Sequence, residues 1–349
     1  LLFLLAGGVA VDRLPRVRIM LASDLARGLC VTGVAGLAYA GRLEVWHVLA
    51  ASLIFGLVDA FFQPAYIAAV PDLTPVDLLP SANALTSLSG QAGRIVGPLA
   101  AASLVAVGGT PAAFAVNAAS FFASALCLAP LLRAPGPAAG PAPEAPAQRS
   151  VRADLRAGFA TVRAIPILWV TILVAALFNI TLAGPYQIAL PYLVDDRFAG
   201  QVQMLGWLYA AFAVGYVLGG VWYGRRTTFR WRGWTLYATI AAAGLGLLVI
   251  GLPVPPLVLL LAAALNGAAL EIFGVIWTTS LQTMVPADQL GRVASIDALG
   301  SFGLLPVGLG LVGLAVEALG APAILVLGGA LTMGLAGLGL LHPQVRGLD

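Results

Sequence analysis

Apolar stretches of about 20 residues recur along the whole 349-residue chain, each long enough to cross roughly 30 Å of hydrocarbon as a helix. Windows of helical length place them near 19–40, 46–66, 82–107, 112–132, 166–190, 204–223, 233–252, 257–281, 293–316 and 321–341. A mean hydropathy of +0.97 and 9% charged residues exclude a water-soluble globule, where charged residues run at about 25%. The short alternating segments of a membrane β-barrel are not seen in the sequence. The expected fold class is therefore all-α, a polytopic protein whose main partner is the lipid bilayer. Residues 1–11 read as the tail of an earlier span. The chain opens inside an apolar run without Met or a basic lead, so a signal peptide is not expected and the sequence reads as N-terminally incomplete.

Charge then sets orientation. All 18 basic residues are arginine. Alternate loops carry Arg13, Arg16 and Arg18; Arg133, Arg149, Arg152, Arg156 and Arg163; Arg225, Arg226, Arg230 and Arg232; Arg292; and Arg346. The other loops hold only Arg42 and Arg197. The positive-inside rule puts the first set, with the central linker and the C-terminus, in the cytoplasm. A net charge of +3 is too small to argue for nucleic acid. Cys30 and Cys127 fall within spans without metal-ligand spacing, and His47 and His342 lie at opposite membrane boundaries. No metal centre, cofactor site or hydrolytic constellation is implied.

The segment "RAPGPAAGPAPEAPAQRS", rich in Pro, Ala and Gly, cannot be a continuous helix. It divides the chain into an N-terminal transmembrane half (1–133), a cytoplasmic linker (134–163) and a C-terminal half (164–349). Within the linker, Val151, Leu155, Phe159 and Val162 share one helical face, with Arg152, Arg156 and Arg163 elsewhere. That pattern fits either a helix lying on an anionic membrane surface or a solvated linker helix. The halves repeat: "PVDLLPSA" from Pro75 aligns with "PADQLGRV" from Pro286 at an offset of 211, which also pairs Gly56 with Gly267. "GVAVDR" from Gly8 aligns with "GVWYGR" from Gly220 at an offset of 212. Parallel duplication about a central loop is a transporter architecture.

The cluster "GGVAVDRLPRVR" puts Asp12, Arg13, Arg16 and Arg18 between two apolar runs. Gly8 permits close helix approach. Asp12 can accept from exposed N–H groups at a helix start, where the macrodipole favours an anion. Arg16 can bridge to a carboxylate such as Asp72. Arginines serving topology alone are the simpler alternative. G-V-A-V-D-R-L-P-R-V-R resembles the signature turn of the major facilitator superfamily, with Pro15 and Val17 as departures. "LASDLARG", "FGLVDAFFQPAY", "PDLTPVDLLPSANAL" and "RIVGPLAA" are similar to its drug-efflux branch, that of enterobactin and macrolide exporters. The resemblance implies two six-helix halves, of which this sequence lacks the first helix and most of the second. It also implies that Gly8, Asp12, Arg13, Arg16 and Asp72 form a cytoplasmic gate, with Asp12 facing the helix start near Arg292. The second copy has Gly224 in place of Asp12, so the lock is expected on one side only. Gly93, Gly97 and Pro98 resemble the superfamily's antiporter motif, with Ala101 and Ala102 replacing its last glycines.

Asp59, Arg94 and Glu271 fall inside spans, where each charge costs about 2.5–3.5 kcal/mol on insertion scales, so each must face protein or a wet cavity. Asp59 shares a face with Gln63 and is expected to meet Arg94 on the adjacent helix. The small residues Gly90, Gly93, Gly97 and Ala101 around Arg94 suit tight helix contact. Glu271 lies on a small, polar stripe with Gly267, Gly274, Thr278 and Gln282. It is either a proton carrier or a neutral, hydrogen-bonded packing acid. Asn179 and Tyr186, beside the Gly184–Pro185 break, line a cavity or make ordinary interhelical bonds. Asp24 and Arg27 are expected to anchor the gate. Without a Walker A pattern or any lysine, ATP-driven transport within this polypeptide is not expected. The reading is a monomeric secondary transporter exporting a small amphipathic molecule (drug, macrolide or siderophore-like) in exchange for protons. The alternative is a non-transporting scaffold or sensor that keeps the fold. An enzyme is not expected.

Overall fold

A computed structural model describes residues 3–132, 151–198, 202–225 and 231–347, and among them the regular structure is entirely helical. Helix α1 (Leu4–Arg13) ends because Pro15 forces Leu14 into extended backbone. Helix α2 (Arg16–Tyr39) begins immediately after that proline. Helix α3 (Val45–Leu73) opens with a reciprocal cap between Glu44 and His47. The next helix, α4 (Leu79–Leu128), joins two predicted spans across a break at Gly109, whose φ of +73° only glycine tolerates cheaply.

After the linker come α5 (Val151–Ala164), α6 (Pro166–Phe178), a π turn (Asn179–Ala183) and α7 (Gly184–Arg197). Then follow α8 (Val202–Gly224), α9 (Arg232–Gly251) and α10 (Pro256–Met284). Helices α11 (Leu290–Phe302) and α12 (Leu305–Leu319) are two pieces of one interrupted span. The chain closes with α13 (Ala321–Leu340) and the one-turn α14 (Pro343–Arg346). Nine segments among the described residues are long and apolar enough to cross a membrane. Large side chains such as Leu53, Val107 and Trp207 point outward, as hydrocarbon solvent allows.

The helices form two compact units with interleaved chain segments. One comprises Leu1–Pro75, Gly90–Thr161 and Gln282–Ile296; the other comprises Val76–Ser89, Val162–Leu281 and Asp297–Asp349. In the second unit, Leu236, Tyr237, Ile240 and Leu247 of α9 are fully buried, and α9 meets α13 where Gly244 lies against the Gly329 carbonyl. Helices α8 and α10 approach so closely that Gly215 and Gly219 abut the backbone at Ala264 and Ala268, leaving no room for a side chain. In the first unit, Gly7 of α1 abuts the Ala60 backbone of α3 in the same way.

One expectation about packing fails. Among the described residues, nothing lies within 4 Å of where a Cβ would stand on Gly90, Gly93 or Gly97. Small residues permit close approach without compelling it, and the tight contacts fall at other glycines. The side chains of Arg94 and Pro98 lie outside the described residues. On α5, Phe159 is exposed while Asp154 and Val162 are buried. Asp154 is drawn inward by two arginines, while the apolar face divides, with Val162 inward and Phe159 outward.

Candidate functional site

The arginine-rich turn sits against the start of α11. Pro15 fixes the exit from α1, and this presents Asp12 to residues almost 280 positions later. Asp12 Oδ1 accepts from the Gly291 N–H at 2.7 Å, and Oδ2 accepts from the Arg292 N–H at 3.2 Å. These are first-turn donors of α11 with no partner in their own helix, so a carboxylate there also meets the positive end of the helix dipole. The Arg292 guanidinium stands 2.9 Å from Oδ2. Gly8, one turn before Asp12, makes the approach possible: a Cβ there would stand 2.7 Å from the Gly291 carbonyl oxygen and 2.8 Å from Arg292 Cα.

The arrangement extends on both sides. Arg16 donates to Asp72 Oδ1 at 2.8 Å, to the Ala68 carbonyl at 2.7 Å, and to the Ala287 carbonyl beside α11. Arg13 reaches Asp154 of α5, with Nε 2.9 Å from Oδ2, and Arg292 Nη1 lies 3.2 Å from Asp154 Oδ1. The order Arg13, Asp154, Arg292, Asp12 alternates in sign, so the buried part is neutral overall. Thr161 of α5 also donates to Gln289. Asp154 was not singled out from the sequence; as the single acid of the amphipathic linker helix it could have been. Burial pushes the Asp12 carboxyl up from 3.8 to about 6, outweighing the Gly291 and Arg292 N–H groups and the charges of Arg292 and Arg16, which pull it down.

Within the spans of the first unit, Asp59 lies 3.6 Å from Arg27, not in a described pair with Arg94. Arg27 is also 3.7 Å from Asp24 and stacks 4.2 Å over the Phe62 ring, and Ser124 donates to Asp24 at 2.6 Å. Asp24 and Arg27 thus belong to this intramembrane trio on α2 and α3, eight and eleven residues along α2 from Arg16 of the gate they were expected to anchor. Gln63 is exposed.

In the second unit, Glu271 is 1% exposed. Its Oε2 accepts from Ser87 at 2.6 Å, and Ser87 shares a hydrogen with Tyr216 at 2.7 Å. Its Oε1 is buried beside Gly220, without a hydrogen-bond partner among the described residues. Ser81 donates to the Gly224 carbonyl and Asn83 donates to Thr279, extending a polar seam along the start of α4. Asn179 donates to the Ser301 carbonyl at 2.8 Å, while Tyr186 packs against Phe212 with its hydroxyl unpartnered among the described residues. Asp297, held by Trp277 at 3.0 Å, was also missed. The rule that picks out Glu271, an acid inside a span, applies to it equally.

Comparison with known proteins agrees with this architecture. The sequence profile of the transmembrane secretion effectors matches residues 1–349. Enterobactin exporters EntS from Escherichia coli O1:K1 and from strain S88 are each 31% identical over 83% of this chain and 67% of their own length. Among solved structures, a bacterial homologue of the iron transporter ferroportin superposes with a TM-score of 0.74 at 17% identity, covering 97% of this chain and 86% of that one. The human organic anion transporter MFSD10 also gives 0.74, at 20% identity over 96% and 80%. The Escherichia coli fucose:proton symporter FucP gives 0.73, at 14% identity over 97% and 87%. A multi-pass chain with this profile, this arginine-rich turn and this fold belongs to the transmembrane secretion effector family of major facilitator transporters.

Proposed function

We propose that this chain is a secondary active exporter of a small amphipathic molecule, working by alternating access and proton antiport in the bacterial inner membrane. The arginine-rich turns, the linker and the C-terminus face the cytoplasm. The observation that carries the reading is the contact of Asp12 with the first N–H groups of α11. A carboxylate capping a helix that begins in the other half of the sequence, with a glycine beside it and charges balanced around it, is a contact that can part and re-form. It is made of hydrogen bonds and ion pairs, which water replaces on opening, rather than of interlocked apolar side chains.

Glu271 is the proton carrier in this reading. Its neighbours Ser87 and Tyr216 are hydroxyls that donate to a carboxylate or accept from a carboxylic acid, and Oε1 has an unused acceptor site. The 31% identity to enterobactin exporters favours a siderophore-like cargo over other amphipathic molecules. The test is transport of catecholate and macrolide probes in proteoliposomes with an imposed pH gradient. Wild type should accumulate a probe against its gradient, and Glu271→Gln should exchange probe across the membrane but no longer respond to pH. No movement of any probe by the wild-type protein would reject transport. Full gradient-driven accumulation by Glu271→Gln would remove Glu271 from the mechanism.

A further inference from the structure

Asp297 belongs neither to the clasp that Asp12 makes on the start of α11 nor to the Glu271 cluster. It lies seven residues into α11, about 10 Å along the axis from Leu290. Trp277 Nε1 of α10 donates to its Oδ2 at 3.0 Å, and Ser301 Oγ, one turn later on α11, donates to Oδ1 at 3.1 Å. Helix α11 stops at Phe302, so the Ser301 carbonyl is among the last four without a partner further along its own helix. Asn179, the first residue of the π turn, satisfies it. Two interrupted helices therefore meet through one side-chain bond beside a carboxyl group. π turns inside helices and broken spans are both features of functional sites in membrane transporters.

No arginine lies within ion-pair distance of Asp297 among the described residues. Arg292, five positions earlier on the same helix, is committed to Asp12 and Asp154. Glu271, on α10, is bonded to Ser87. From α6, Thr171 pairs with Tyr237 of α9. A carboxylate inside a span without a counter-ion is costly, and an exchangeable proton removes that cost.

The two partners suit a group that changes protonation. An indole N–H only donates, so Oδ2 receives the Trp277 bond in either state. A serine hydroxyl rotates: it donates to Oδ1 of the carboxylate and accepts from an O–H placed on Oδ1 of the acid. Both oxygens remain partnered in both states without movement of heavy atoms. Asp12 is different, because its partners are backbone N–H groups and a guanidinium, which cannot reverse.

We propose that Asp297 is a second proton-binding carboxyl of this transporter, with Ser301 as its reversing partner and Trp277 as the fixed donor that positions it. The inference deepens the proton-antiport reading, because each transport cycle then has two separate carboxyls at which a proton can reside. The test is pH-difference infrared spectroscopy on the full chain in lipid films. Asp297→Asn should lose one pH-dependent protonated-carboxyl C=O band that Glu271→Gln retains. Trp277→Phe should shift that same band to higher wavenumber, since the carbonyl loses a hydrogen bond. An Asp297→Asn spectrum identical to wild type would overturn the proposal. So would a Trp277→Phe spectrum with every band in place, and this charge-neutral variant decides the matter alone if Asp297→Asn does not fold. An intact Asp297 band in a protein whose transport ignores the pH gradient would count against proton antiport while leaving this site standing.

Discussion

Gly8→Ala tests the clasp with one methyl group. The added Cβ would stand 2.7 Å from the Gly291 carbonyl oxygen and 2.8 Å from Arg292 Cα, and would also press on the Ser295 hydroxyl. Two of the three obstacles are backbone, so no side-chain rotation relieves them, and α1 and α11 must separate by several tenths of an ångström. Overpacking of this kind costs about 1–3 kcal/mol. If the clasp opens during transport, the cost falls on the closed state alone and shifts the equilibrium roughly 5- to 150-fold toward the open one. Spin labels on Leu14 and Asp288, both exposed, report the separation in a background with Cys30 and Cys127 replaced. The Gly8→Ala distance distribution should gain a longer component, with insertion and thermal stability near wild type. Gly7→Ala is the contrast. Gly7 abuts Ala60 of α3, a contact between neighbouring helices, so that variant should lower folding yield without lengthening the label distance. An unchanged distribution in a well-folded Gly8→Ala protein would refute the idea that this contact opens.

Two further predictions concern charge. The closed clasp holds the Asp12 carboxyl at about 6 against 3.8 for a free side chain, so the closed state binds the proton more tightly. Its stability from this group is full below 3.8 and is lost as pH rises through about 6. Between pH 5 and 7 the closed population should fall about tenfold relative to the open one, the label distance should lengthen, and Asp12→Asn should flatten the response. Lengthening on acidification would contradict it. For the Arg27 trio, Arg27→Met leaves Asp24 and Asp59 without their cation and should destabilise the protein by about 3–5 kcal/mol, read as a lower melting temperature in detergent. Adding Asp24→Asn and Asp59→Asn should restore most of the loss, whereas equal instability of the triple variant would show that Arg27 acts by packing alone.

The spans were legible in the sequence because hydropathy sums over some 20 residues and tolerates local exceptions. Breaks were less so: the Gly184–Pro185 pair marks the end of the π turn, and Gly303 with Pro306 behind it is a helix-stop signal where α11 ends at Phe302, but a hydropathy window runs through both as one span. Side-chain partners were legible only where a motif constrains backbone as well as charge. Asp12 meets the start of α11 as the family resemblance implies, and a glycine four residues earlier and a proline three residues later suit the turn to that contact. From the sequence Asp59 is paired with Arg94, yet Arg27 of α2 stands 3.6 Å from it, because helical spacing gives the face of a residue and not the neighbouring helix that the face meets. Asp154 illustrates the same limit. The amphipathic pattern of the linker helix locates its apolar stripe, but it cannot show that two arginines from distant segments draw Asp154 inward.

The repeat at an offset of 212 clarifies what the duplicated turn supplies. Gly8 and Gly220 occupy matching positions, and each is a point of close approach. Gly8 meets the backbone of α11, while a Cβ on Gly220 would lie 3.0 Å from Glu271 Oε1 and 3.1 Å from Leu88. Four residues on, the copies diverge. Asp12 supplies a carboxylate to exposed N–H groups, whereas Gly224 supplies only a backbone carbonyl, which accepts from Ser81. The glycine therefore provides space in both copies, and the residue four positions later determines the chemistry. A charged contact forms where that residue is Asp; where it is Gly, the carboxyl at the helix's close contact is that of Glu271, which reaches Gly220 from α10.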